Sequence, residues 1–244
     1  MSRISGDDTG IVGLAARKRT GIAAACLLLA ALFGTGPAAA ADCRYDAGPQ
    51  VNWQDCDKSM LLLSGSDLTG ANLSDANLTS TDLRDTTLTG ANLEKATLVR
   101  ASLAGAKADK ASFARIEAYR TSFAGISAPG ATFASAEVQR ADFSGADLTG
   151  VDFEKAELGR ANFQKATISG TRFPFANLSR ADFRQTTFEG PIDFNMAFLF
   201  LTRIEGLDLS AATGLQQWQV DLSCGDAGTK LPAGLTAPKN WPCK

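Results

Sequence analysis

From residue 51 onward the chain repeats itself every five residues, and that period limits the possible fold more than any other property of the sequence. Ala71-Asn72-Leu73-Ser74-Asp75, Ala91-Asn92-Leu93-Glu94-Lys95, Ala141-Asp142-Phe143-Ser144-Gly145 and Ala161-Asn162-Phe163-Gln164-Lys165 are four of its copies. The Leu or Phe is the centre of each unit. Ala or Thr usually stands two residues before it, with Asp, Asn, Ser, Thr or Glu between. A period of five fits neither an amphipathic helix, at 3.6, nor a plain strand, at 2. It fits three extended residues pointing in, out and in, followed by a two-residue corner. Each unit then turns one small and one large apolar side chain to the same side, too little to bury alone. Stacking on neighbouring units buries them, which is the logic of a solenoid.

A longer period counts the units in one coil. The centres Phe113, Phe123, Phe133, Phe143, Phe153, Phe163, Phe173 and Phe183 alternate with the smaller Ala118, Ala128, Val138, Leu148, Leu158, Ile168 and Leu178. If four units make a coil, these sort into two opposed Phe columns and two columns of smaller residues, which fills a square interior without voids. Ala118 and Ala128 are each preceded two residues earlier by a bulky Ile116 or Ile126, a local compensation of the same kind.

From about Val51 to Ala211 these units resemble the pentapeptide repeat family, whose signature is A-(D/N)-L-x-x. The resemblance implies an all-β fold, a right-handed quadrilateral β-helix. About 32 units are present, hence about eight coils, and at a strand spacing of roughly 4.8 Å the rod is about 38 Å long. A one-residue slip falls at Pro191, and Lys58 stands at a centre, an exception expected of an end coil. Some cytoplasmic relatives resemble B-form DNA and bind type II topoisomerases, protecting them from quinolone-type inhibitors. The resemblance implies that role as an alternative for a cytoplasmic chain.

The first forty residues read as an address. Arg17-Lys18-Arg19 precede an apolar run from Gly21 to Phe33, Gly34 to Pro37 break it, and Ala38 to Ala41 supply small residues. This is the layout of a secretory signal peptide, too short to cross a bilayer core that needs roughly 20 apolar residues. Cleavage near Ala41 removes Cys26 with the leader and leaves a chain of formal charge about −4 and four cysteines. An even number in an exported chain reads as two disulfides. Rod ends nearly 40 Å apart cannot be bridged by a bond that requires Cα atoms within about 7 Å. Cys43 is therefore expected to pair with Cys56, pinning the leading segment over Trp53, and Cys224 with Cys243.

The expected organisation is a signal peptide over 1–41, an N-terminal cap over 42–50, the repeat over 51–211 and a C-terminal cap over 212–244. That last cap comprises a short helix from Leu215 to Leu222 and an extended tail. Phe198, Phe200 and Leu201 stand at positions that face solvent in other units, so they need a cover. The expected cover is this chain's own C-terminal helix and tail. The alternative is an interface with a partner or a second copy, a homodimer.

Outward positions recurring every 20 residues stack into columns. Arg100, Arg120, Arg140, Arg160 and Arg180 share one corner column, and Glu117, Glu137 and Glu157 form another on the same face. One reading is a solvated face whose charges compensate in pairs contributing roughly 0–1 kcal/mol each. The other is a rigid basic edge for an anionic polymer or lipid surface. Gly70, Gly90, Gly130, Gly150, Gly170 and Gly190 share a further corner column, as expected of corners with positive φ. Tyr119 and Phe175 point outward.

With 24 Lys+Arg against 26 Asp+Glu, the charge balance excludes a strongly basic nucleic-acid binder. The chain contains no His, so the usual general base, the commonest metal ligand and every Ser-His or Cys-His pair are missing. No P-loop, dinucleotide fingerprint or metal spacing appears. The expectation is a non-enzymatic exported scaffold without a cofactor, metal or small-molecule substrate. Its partner is an unidentified macromolecule, a protein or an anionic component of the cell envelope.

Overall fold

The computed structural model describes residues 41–243. The signal peptide expected over 1–41 falls, but for Ala41, outside the described residues. Within 41–243 the residue before each centre forms a parallel β-bridge with its counterpart 20 residues on, from Asn52↔Asn72 to Thr167↔Thr187. One coil is therefore four pentads, and the chain winds as a β-helix solenoid. The first face carries residues 51–55, 71–75 and so on; the second starts at 56, the third at 61 and the fourth at 66.

A single unit accounts for its whole backbone. In 141–145, the N–H of Ala141 closes the corner on Val138 O (3.1 Å), and Asp142 donates back one coil to Thr121 O (3.0 Å). Phe143 and Gly145 donate forward to Asn162 O (2.7 Å) and Gln164 O (2.9 Å). The fifth donor, Ser144, lies at the corner, out of reach of the next coil. Asp142 Oδ1 accepts its N–H at 3.0 Å. Asn72, Asn77, Asp82, Asn92, Asp147, Asp152, Asn162, Asn177 and Asp182 accept the same bond in their own units. The preference for Asp or Asn before the centre thus answers one orphan donor, through an Asx-type turn repeated around the rod.

The second corner residue has positive φ at every turn from Gln50 to Gly206, as type II turns require of their second central residue. The glycine column obeys this, from +64° at Gly70 to +81° at Gly190, but so do Asp75, Lys95, Arg120 and Phe175 at other corners. Positive φ therefore does not by itself demand glycine here.

Inside, the two Phe columns stack. Phe113, Phe133, Phe153, Phe173 and Phe194 lie face to face with centroids 4.6–5.5 Å apart, and Phe123, Phe143, Phe163 and Phe183 do likewise at 4.6–5.1 Å. The columns meet edge to face at 5.5–6.2 Å. Both geometries are favourable for aromatic quadrupoles. Where Thr replaces the small inward Ala, its hydroxyl finds a carbonyl. The carbonyl is one coil back for Thr81 on Lys58 O, Thr121 on Leu98 O and Thr171 on Leu148 O, and three residues back for Thr86 on Leu83 O and Thr186 on Phe183 O.

At the N-terminal end Cys43 is bonded to Cys56, and Trp53 is buried beneath. Lys58, the exception among centres, is buried because its ammonium donates to Cys43 O (2.6 Å) and lies 4.0 Å over the Trp53 ring. The cover is partial. On the third face Leu62 is 85% exposed and Leu61 38%, beside an exposed Met60.

After Pro191 the register becomes 21 residues, Arg172↔Asp193 to Asp182↔Arg203, which absorbs the one-residue slip. The ladder does not stop at 211. Thr213 pairs with Asp193, Cys224 with Arg203 and Lys230 with Asp208, so the C-terminal segment adds a further irregular coil. Helix α1, Gln217–Leu222, replaces the pentad of its second face and starts two residues later than Leu215. Its buried Gln219 donates to Phe194 O and Ala197 O, closing the end of the rod. Cys224 is bonded to Cys243, and Trp241 donates to Ser223 O (2.8 Å) while its ring lies against Gly225.

Phe143→Ala is expected to cost about 3–5 kcal/mol, because stacked rings on both sides hold the cavity open. Asp142→Ala, which frees one corner N–H, is expected to cost about 1 kcal/mol. Urea denaturation of the two variants checks the order; equal losses would contradict the stacked core.

Candidate functional site

The second face differs from the other three. Its trailing corner column carries Arg100, Arg120, Arg140, Arg160 and Arg180, all exposed. Their φ values of 56–60° are those of the corner, so the backbone aims all five alike. Bridges from Thr97 through Glu117, Glu137 and Glu157 to Asn177 fix the leading column of the same face at the same rungs. Between the columns lie Val99, Tyr119, Gln139, Gly159, Ser179 and Phe200.

The expected compensation between the Glu and Arg columns does not form. Among the described residues none of the five arginines is within ion-pair distance of a carboxylate. Other arginines are paired: Arg84 with Asp82 and Arg184 with Asp182 at 2.6 Å, Arg115 with Glu94 and Arg203 with Glu205 at 2.7 Å. The reason lies in position. Arg84 and Arg184 sit two residues after their aspartates and fold back onto them, and Arg115 reaches Glu94 at the corner one coil back. The ladder arginines instead trail their glutamates by three residues and have no acid at the neighbouring corner position. Three of the ladder arginines lie near aromatic rings instead: Arg120 and Arg140 at 5.1 and 5.9 Å from Tyr119, Arg180 at 6.0 Å from Phe200. Glu157 accepts from Asn177 Nδ2 at 2.8 Å.

The face ends in Phe198, Phe200 and Leu201, and the expected cover reaches only Leu201, which shares a cleft with Lys239, Trp241 and Cys243 of the tail. Phe198 is 45% and Phe200 39% exposed, while Leu201 is half-buried and donates to Leu222 O. Helix α1 continues the rod along its axis, so it closes the end and leaves the side face open. The rings of Phe198 and Phe200 lie parallel at 6.3 Å. Gly159 and Ser179, being small, open a shallow groove of about 450 Å³ lined by Arg140, Arg160, Arg180 and Phe200. The two candidate sets, the arginine edge and the apolar cluster, are thus parts of one surface. The common 20-residue register, read through the slip at Pro191, is the signal that joins them.

Eight copies of the pentapeptide repeat match the family model of that name, over residues 62–94, 88–125, 130–164 and 156–190. The chain belongs to the pentapeptide repeat family. No curated protein matches the sequence. Among solved structures it is similar to HetL, a pentapeptide repeat protein involved in heterocyst differentiation regulation in the cyanobacterium Nostoc. The identity is 23% over 78% of this chain and 86% of that one, with a TM-score of 0.31. It is similar to full-length QnrB1, a plasmid-mediated fluoroquinolone resistance protein, at 19% identity over 76% and 84%, TM-score 0.40. A pentapeptide repeat protein of the Arabidopsis thaliana thylakoid lumen aligns at 27% identity over 52% and 68%, TM-score 0.22. These superpositions are poor, so the repeat itself places the chain in its family.

The paired charges off this face give the rod its acid response. The Arg84 guanidinium holds Asp82 down to about 2, and the Lys230 ammonium, with Ser210, does the same for Asp208. Both values lie below the unfolded carboxylate, roughly 3.9. Their stabilisation is therefore complete above about pH 4 and lost as pH falls through the folded value. With no His to titrate, the thermal midpoint is expected to be level from about pH 8 to pH 5 and to fall below about pH 4. A midpoint that drops between pH 8 and pH 5 would contradict this.

Proposed function

We propose that this chain is an exported, non-enzymatic scaffold of the cell envelope that meets a macromolecule on its second face. The proposed organisation is a cleaved leader over 1–41, a pinned N-terminal cap over 42–50, a right-handed rod of about eight coils over 51–211 and a C-terminal cap over 212–244. One observation carries the reading: five arginines on a rigid corner, without a carboxylate partner among the described residues, in register with exposed Phe198 and Phe200. A flexible basic segment loses conformational entropy on docking, whereas side chains on a fixed 20-residue pitch are already ordered along one line. The two disulfides support the oxidising compartment that the leader addresses. The contact is electrostatic in steering and apolar at its C-terminal end.

The alternative is a cytoplasmic mimic of B-form DNA that binds a type II topoisomerase. It needs acidic columns outward and no disulfides, and the arginine column and the two bonds argue against it.

Two measurements test the reading. N-terminal sequencing of the protein from a periplasmic fraction should find the leader removed; cytoplasmic protein with the first forty residues intact would overturn export. Dilute purified protein should bind anionic vesicles in low salt and release them as salt rises. Replacing Arg100, Arg140 and Arg180 with Ser should weaken that binding by about tenfold without moving the thermal midpoint. Unchanged binding would dismiss the face.

A further inference from the structure

We infer that the open edge of the first coil, residues 60–64, docks an extended segment of a partner protein, which adds to the rod as one more parallel strand and carries apolar and basic side chains. The site lies at the N-terminal end of the third face and does not depend on the reading of the second.

Backbone bonding locates the vacancy. On the third face the residue before each later centre donates one coil back, as Asp82 does to Leu61 O (2.9 Å) and Ser102 to Thr81 O (3.1 Å). Its carbonyl and that of the first corner residue accept from the preceding coil, as Asp82 O does from Leu63 (2.8 Å) and Arg84 O from Gly65 (2.8 Å). Leu62 is bridged to Asp82 on one side, which holds its strand in place. On the other side the N–H and C=O of Leu62 and the C=O of Ser64 have no partner among the described residues. The segment 42–50 supplies none. Gln50 donates to Thr69 O (2.8 Å) on the fourth face, Cys43 is bonded to Cys56, and Tyr45 O accepts from Trp53 Nε1 (3.0 Å). The leading segment therefore crosses the end of the rod without bonding residues 61–65.

The side chains depart from the repeat at the same strand. The residue before the centre of the third face is polar in every later coil, from Asp82 to Arg203, and is Leu62 in the first. Leu62 gives up the acceptor that Asp82 offers to Arg84 N–H (3.1 Å), so the Ser64 N–H also lacks a partner. Leu61 stands where Thr81 and Ala101 are buried. Leu62 and Met60, 85% and 75% exposed, are the most exposed large apolar side chains among the described residues. An edge that faces only water is usually blunted with charge, and this one carries the reverse.

Geometry and charge select the occupant. A parallel strand offers a carbonyl to the Leu62 N–H and, two and four residues on, N–H groups to Leu62 O and Ser64 O, which repeats the pattern of the later junctions. Its alternate side chains fall beside Met60 and Leu62. A second rod end is held off by the segment 42–50 on each copy, whereas a single strand fits the open side. Residues 42–70 contain five Asp against two bases, Arg44, which is paired with Asp42, and Lys58, which is buried. Asp57 and Asp67, both exposed, flank the strand on the neighbouring faces. This end repels an anionic bilayer and attracts a strand that bears lysine or arginine.

Amide hydrogen exchange of the disulfide-intact protein, read by NMR, tests this with a synthetic peptide of alternating Lys and Val, about ten residues long. Saturating peptide should slow exchange at the Leu62 N–H by at least about tenfold. The same peptide N-methylated at every residue cannot donate and should not bind. Glu in place of Lys should weaken binding by at least about tenfold. Leu62→Asn removes the apolar contact and restores the corner acceptor; it should weaken the peptide about tenfold while the thermal midpoint holds or rises. The variant with Ser at positions 100, 140 and 180 should bind the peptide as the parent does, which separates this edge from the arginine face. An unprotected Leu62 N–H, equal binding of the N-methylated peptide, or undiminished binding to Leu62→Asn would each overturn the proposal. So would a dimer, or binding to neutral phosphatidylcholine vesicles, that Leu62→Asn abolishes, because the edge then serves a second copy or a bilayer.

Discussion

Everything in this molecule depends on the hydrogen bonds that pass from each coil to the next in a register of 20 residues, widened to 21 after Pro191. They leave one backbone donor per unit unsatisfied, at the first corner residue, and where Asp or Asn stands before the centre its side chain accepts it. Once that donor is closed, the chain can repeat the same turn indefinitely, and every position in the pentad becomes a column. The columns then have separate tasks. Inward centres stack as rings, small inward positions make room or bond a carbonyl through Thr, and outward positions decide what the surface meets.

The parts of the fold governed by this repetition are legible in the sequence. The period of five gives the corner, and the alternation of Phe with smaller centres gives the four-unit coil. Cys43 and Cys56, and Cys224 and Cys243, lie too far apart along a rod for any other pairing. The ends are less legible, because there the repeat no longer constrains the chain. Lys58 occupies a centre through two carbonyls of the leading segment and the Trp53 ring, partners that have no periodic signature. Thr213, Cys224 and Lys230 join the ladder although the pentad pattern has ended, since backbone bonds do not require it. α1 fills the place of a whole unit, and its Gln219 performs with a side chain what a missing coil would have done with its backbone.

The surface is legible as columns and not as contacts. Spacing puts the glutamates and arginines on one face, but whether they touch depends on where the corner aims a side chain. Arg115, at a trailing corner, reaches Glu94 on the first corner position one coil back. The second face instead carries Val99, Tyr119, Gln139, Gly159 and Ser179 there, so its arginines find no acid, and Arg120, Arg140 and Arg180 lie near Tyr119 and Phe200. The acid at the first corner position, present on the first face and missing from the second, thus separates a neutralised face from one whose charges remain available. Phe198 and Phe200 differ from expectation for a similar reason: nearness in sequence suggests cover by the C-terminal segment, and the direction of the last coil, along the axis, withholds it.

The leading segment ties down only part of the first coil. Trp53, Cys56 and Lys58 are fastened, but the corner at Met60 to Leu63 has neither a staple nor a lid among the described residues. In a stack whose members touch only their neighbours, loosening spreads from whichever margin is least secured. Peeling of this protein, by a protease or by mechanical pull, therefore has one natural starting point, and a wrapped filament frays first at the strand left untied.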